Sequence, residues 1–112
     1  VLRPHLPVGV SVEPARFTPH DPAHRYSGTE CGGIRLVVSD LRADLFGVGL
    51  TLVQVIFSLA PSFAPTADFA LSMGRRGIDG RLKQGESVAA IRAEAQAECE
   101  KFREVRKRYL LY

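Results

Sequence analysis

Tryptophan is absent from this sequence, which also holds a single methionine and only two cysteines, Cys31 and Cys99. Two cysteines close at most one bridge, so a disulfide-stapled scaffold is excluded. Spacing alone does not decide whether they pair, since pairing depends on geometry. Neither sits in a CxxC or CxxxH pattern, and both are expected as buried free thiols. A catalytic thiol would need a base beside it, and only His20 and His24 are near Cys31 in sequence. Long apolar runs are lacking too. Residues 45–67 carry no charge, but Pro61 and Pro65 break the stretch well short of the about 20 apolar residues that span a bilayer. No Walker-type, dinucleotide-binding or nucleophile-elbow glycine motif occurs. No positively charged stretch followed by an apolar core opens the chain, so no signal peptide is expected within it. The chain starts at Val1 rather than methionine, as a processed or excised piece would.

What is present fits one globular domain over residues 1–112, with 46% hydrophobic and 24% charged residues. The net charge of +3 is not spread over a face. Lys101, Arg103, Arg106, Lys107 and Arg108 crowd into the last dozen residues against Glu104. That reads as a helix tail whose cations complement the negative end of the dipole, so no nucleic-acid partner is expected.

Val8, Val10 and Val12 alternate with Gly9, Ser11 and Glu13, which predicts a short strand stopped by Pro14. A polar, proline-bearing loop follows up to Gly28. A second strand opens at Gly32-Gly33, with Ile34, Leu36 and Val38 on one face. Asp40 ends it or caps the turn over residues 40–46. Residues 45–60 predict an apolar helix, on which Gly47, Thr51, Gln54 and Ser58 form one thin polar stripe facing a solvent edge. Residues 61–74 read as a connection whose Phe63, Phe69, Leu71 and Met73 pack down locally, and a short helix is expected around Ile78 and Leu82. Ser87 then stands as an N-cap. Val88, Ile91, Ala95, Cys99, Phe102, Val105 and Tyr109 recur at helical spacing, predicting a long amphipathic helix anchored in the core by Ile91 and Phe102. The terminal Tyr109-Leu110-Leu111-Tyr112 is too apolar for a free tail. The fold class is α+β: a small sheet with helices packed on one face and a long amphipathic helix at the C-terminus. Because two strands alone are marginal, a third is expected near 108–112.

The loop of residues 17–31 carries the chemistry-bearing side chains. His20 and His24 have the spacing of a helical zinc pair, but Pro19 and Pro22 forbid a helix there, and no metal site is assigned. Glu13, Asp21, Glu30 and Asp40 are the carboxylates available for glycoside chemistry, and no spacing pairs any two of them. Catalytic residues are therefore not assigned. The rings Phe17, His20, His24 and Tyr26 beside Arg16, Arg25 and Glu30 suit a sugar or another polar ligand, although tryptophan, the commonest sugar platform, is missing.

Several runs carry a family resemblance. Phe17-Thr-Pro19, Tyr26-Ser-Gly28, Cys31-Gly-Gly33-Ile34 before a hydrophobic strand, and then Asp40 resemble the C-terminal domain of the NamZ-type exo-β-N-acetylmuramidases. Gly49-Leu50, Pro61-x-Phe63, Gly74, Leu82 and Gly85 follow in the same order, as does Phe102-x-x-x-Arg106-x-x-Tyr109-Leu110-Leu111-Tyr112. Glu13 departs from the pattern, which usually has a basic residue there, and the gap from Pro19 to Tyr26 is longer than usual. The resemblance implies an accessory, cleft-forming domain of a bacterial glycosidase used in cell-wall recycling, which releases terminal N-acetylmuramic acid from peptidoglycan fragments. Its partners would be an N-terminal Rossmann-like domain, which carries the catalytic carboxylate and is absent here, and a peptidoglycan-derived saccharide. No cofactor is implied, and any export signal would lie outside this stretch. Tyr26, Arg25, Phe17 and Glu30 are the expected substrate-binding residues, with Arg25 set against the acidic lactyl group. The competing reading is an interaction or carbohydrate-binding domain that kept the fold without the catalytic role.

Overall fold

A computed structural model describes residues 5–111. The elements run β1 (Val10–Phe17), β2 (Cys31–Val38), α1 (Leu45–Leu59), α2 (Asp68–Ser72), α3 (Ile78–Lys83) and α4 (Val88–Lys107). The mixed α+β class and the long C-terminal helix are as the sequence predicts. The chain forms two compact units, one up to Asp44 and one from Leu45 onward.

The first unit is an antiparallel ribbon of β1 and β2, in which Val10 faces Val38, Val12 faces Leu36 and Pro14 faces Ile34. Pro14 does not stop the strand, contrary to expectation. The Ser39 N–H donates to the Gly9 carbonyl at 2.8 Å, so Gly9 and Ser39 are a hydrogen-bonded pair. Counting along the register puts Pro14 opposite Ile34 at a position that exchanges no ladder bonds. Its missing N–H therefore costs the ladder nothing. Val10, Val12, Pro14, Ile34, Leu36 and Val38 share one face. On the other, Arg35 Nη1 donates to Glu13 Oε1 at 3.1 Å across the strands. Gly9 holds a φ of 86°, and a Cβ there would stand 2.5 Å from the Asp40 Cβ, so the turn into the ribbon requires glycine. Asp40 caps the next turn, with Oδ1 accepting the Arg42 N–H at 2.9 Å.

In the second unit, Leu50, Phe57, Ile78, Leu82 and Ile91 form the buried core, with Val53, Phe69, Met73 and Val88 packed around it. Helix α1 packs on α3 and α4, and α2 packs on α3. Ile78 and Leu82 are buried in α3 as expected. Phe63 sits 5.7 Å from Phe57, ring to ring. The segment read as a connection contains α2, while Leu71 points outward.

Four further expectations are corrected. The first half of the polar stripe of α1 turns inward, with Gly47 and Thr51 buried, while Ser58 faces solvent as expected. The Thr51 hydroxyl donates to the Gly47 carbonyl at 2.8 Å, which satisfies it out of water. Gln54 Nε2 donates to the Glu86 carbonyl at 2.8 Å, tying α1 to the start of α4. Ile91 is fully buried, but Phe102 is 63% exposed and does not anchor the core. The α4 helix is about 30 Å long, and its residues 96–107 are all exposed. Cys99 is exposed rather than buried, Cys31 is half-buried, and both thiols are free. Residues 108–111 form no strand, and Tyr109 and Leu111 stay exposed. Tyr112, which completes that expected strand, lies outside the described residues. Ser87 is the N-cap of α4 by position, although its side chain makes no capping bond.

Arginines bind the helices together. Arg81 reaches Glu86 at 2.6 Å and Glu94 at 2.7 Å, and Arg75 reaches Glu98 at 3.1 Å and also meets Glu94. The Arg81 guanidinium holds the Glu86 and Glu94 carboxyls below their usual range. Among the described residues no helix is long and apolar enough to cross a membrane.

Candidate functional site

The loop over residues 18–30 leaves β1 and returns to β2 through bonds that it makes with itself. The Gly28 N–H donates to the Pro19 carbonyl at 2.8 Å and closes its neck. Gly28 holds a φ of 74°, a region glycine enters without cost. Inside the neck Asp21 Oδ1 accepts the Ala23 N–H at 2.9 Å. The His24 N–H donates to the Asp21 carbonyl at 2.9 Å and the Ser27 N–H to the His24 carbonyl at 3.0 Å. Consecutive turns of this kind order a proline-rich loop that has no periodic structure.

At the loop tip Arg25 and Tyr26 come together. The Arg25 guanidinium carbon lies 5.4 Å from the Tyr26 ring centroid, within cation–π range. The Tyr26 N–H donates to His24 Nδ1 at 3.2 Å, and the two rings stand 6.1 Å apart. His24 thus positions Tyr26, a role that spacing gave no reason to assign. Tyr26 remains 48% exposed.

Phe17 and Glu30 lie at the loop base, where the strands meet. The Phe17 ring covers Gly33, at which an added Cβ would come within 2.8 Å of it. Glu30 Oε1 accepts from Arg16 Nη1 at 2.7 Å, with both side chains largely in solvent. Such a pair adds little stability but fixes two directions. Pro14, Ala15, Arg16, Glu30, Gly32 and Gly33 line a shallow depression of about 550 Å³ there. The four predicted residues therefore form two groups, Arg25 with Tyr26 at the tip and Phe17 with Glu30 at the base. Glu30 turns to Arg16.

Each carboxylate considered for acid–base chemistry has another partner. Glu13 holds Arg35, Glu30 holds Arg16, and Asp21 accepts a turn N–H. The Arg42 side chain, with help from its backbone N–H, keeps the Asp40 carboxyl below its usual range. An ionised, cation-paired carboxylate is a poor proton donor. His20 and His24 gather no metal set: among the described residues no three His, Cys, Asp or Glu side chains converge. At the loop tip an exposed phenol stands beside a guanidinium.

The sequence pattern of the family described as "Exo-beta-N-acetylmuramidase NamZ, C-terminal" matches residues 3–112. This chain belongs to that family. A curated relative, the peptidoglycan β-N-acetylmuramidase NamZ of Bacillus subtilis (strain 168), is 33% identical over 112 residues. The match covers 96% of this chain, which spans 26% of that relative's length. No solved structure matches. The residues that carry the expected resemblance have physical roles here: Gly28 closes the loop neck, Gly33 receives Phe17, and Asp40 caps the turn after β2. Glu13 is matched by Arg35 on the facing strand.

Proposed function

We propose that this NamZ C-terminal domain is the cleft-forming, accessory part of a peptidoglycan exo-β-N-acetylmuramidase. When complete, the enzyme hydrolyses terminal N-acetylmuramic acid from cell-wall fragments. The observation that carries the reading is the family match over residues 3–112. The catalytic carboxylate belongs to an N-terminal Rossmann-like domain, and the loop of residues 17–31 faces the cleft between the two. There Tyr26 offers its ring edge and hydroxyl to the sugar, while Arg25 meets the lactyl carboxylate. A charge-assisted bond of that kind is among the stronger polar contacts. Phe17 and Glu30 shape the base of the loop.

The test uses the complete enzyme and a chromogenic β-N-acetylmuraminide. Tyr26→Phe and Arg25→Ala are each expected to lower kcat/KM by about tenfold or more, with the melting temperature unchanged. Unchanged kinetics in both variants would remove the loop from the substrate site and favour the interaction-domain reading.

A further inference from the structure

The second half of α4 carries an apolar face that nothing in the helical unit covers. Phe102 is 63%, Val105 48% and Tyr109 77% exposed. Phe102 and Val105 lie on one side of the helix, and Tyr109 follows just past its end at Lys107. At the root of this face a groove of about 500 Å³ runs between α4 and the rest of the unit, floored by Phe46, Met73, Ala95, Cys99 and Phe102. Its rim is cationic. Arg103 is held by Glu100 at 2.6 Å and Lys107 by Glu104 at 2.7 Å. Arg75, Glu98, Arg103 and Arg106 line it, Glu98 being held by Arg75, and Arg106, like Lys101 and Arg108 nearby in sequence, holds no carboxylate among the described residues. An apolar floor with arginine-rich, charged edges is a common make-up of a protein interface.

We propose that this face seats the N-terminal domain of the complete enzyme, through a partner surface that is apolar with an acidic rim; the proposal rests on the functional reading above. Two observations favour that occupant. The relative is far longer than this chain, which spans 26% of it and matches the family's C-terminal domain. In a complete enzyme of the relative's length a large body would be attached on the N-terminal side, and attachment would give it a high effective concentration at any surface within reach. Charge gives the second. The stretch from residue 96 to 108 carries Lys101, Arg103, Arg106, Lys107 and Arg108 against Glu98, Glu100 and Glu104, and that cationic excess favours an acidic partner over a second copy of the chain.

Cys99 on the groove floor reports whether the face is covered. The experiment is site-resolved alkylation by iodoacetamide, quantified by peptide mass spectrometry, on the complete enzyme and on the 112-residue chain. Cys99 is expected to react about tenfold slower in the complete enzyme, because labelling then requires the interface to open. Phe102→Asp, and independently Val105→Glu, should restore the fast rate in the complete enzyme; both positions face solvent in this unit, so its fold tolerates the charge. Equal rates in the two forms overturn the proposal. Slow labelling in both also overturns it, since the cover would then lie within this chain. Muramidase turnover, measured on the same preparations, separates the two claims. An inactive enzyme with a protected Cys99 defeats the functional reading and leaves the docking face standing; an active enzyme with an unprotected Cys99 does the reverse.

Discussion

Replacing Ile91 with alanine should destabilise the helical unit far more than replacing Phe102, although both lie on the same periodic stripe of α4. Ile91 is fully buried in a core shared with only Leu50, Phe57, Ile78 and Leu82. Truncating it loses the transfer energy of the removed carbons and leaves a cavity that so small a core fills poorly, a cost of about 2–5 kcal/mol. Phe102 keeps 63% of its surface in solvent. Scaling the about 3–5 kcal/mol of a fully buried Phe→Ala change by the remaining third gives about 1 kcal/mol. Total stability for a unit of this size is about 3–10 kcal/mol, so the first change takes a large share of it. The assay is urea unfolding of the 112-residue chain, followed by helical circular dichroism. With an m-value of about 1 kcal/mol/M, Ile91→Ala should lower the midpoint by about 2 M or more and Phe102→Ala by about 1 M. Near-equal shifts for the two would refute the burial argument, as would a loss below about 1 kcal/mol at Ile91.

Acid should loosen the helical unit through Arg81. The Glu86 and Glu94 carboxyls are depressed below 4.5 chiefly by their hydrogen bonds to Arg81, so their contribution is complete above that value and is lost as pH falls through the folded-state pKa values. Melting temperatures recorded from neutral pH down to about pH 2 should fall more steeply for the native chain than for Arg81→Met; parallel curves would exclude the network as the cause. The 112-residue chain by itself should show no muramidase turnover, because Glu13, Glu30 and Asp40 are each engaged with an arginine and Asp21 with a turn N–H rather than set as an acid and a second group. Turnover abolished by Glu30→Gln or Asp40→Asn would contradict that arrangement.

Periodicity made α1 and α4 legible, but not what each face meets. The spacing in α1 identified the stripe of Gly47, Thr51, Gln54 and Ser58. It could not tell that a hydroxyl satisfied by its own helix, at Thr51, can be turned inward. In α4 the pattern continues unbroken from Val88 to Val105, while the packing partners end near Ala95. A repeating stripe records that a surface is to be covered, and leaves open whether the same unit covers it. Pro14 was misread for a related reason: proline disrupts a ladder only where its N–H is needed, and register decides that. At the site, the composition of the 17–31 loop identified Arg25 and Tyr26 as neighbours, and sequence adjacency helped. The turns that close the loop at Pro19 and Gly28, and the bond from Tyr26 to His24, come from backbone geometry that no spacing encodes.

The central claim is that Arg25 on this domain reads the lactyl carboxylate that distinguishes N-acetylmuramic acid from N-acetylglucosamine. The most direct measurement is the ratio of kcat/KM for the chromogenic β-N-acetylmuraminide to that for the matching β-N-acetylglucosaminide, taken in the complete enzyme and in Arg25→Ala. The ratio should fall by about tenfold in the variant, since one charge-assisted hydrogen bond made only by the lactylated sugar is lost. A ratio that stays the same, with the variant folded, would contradict the account.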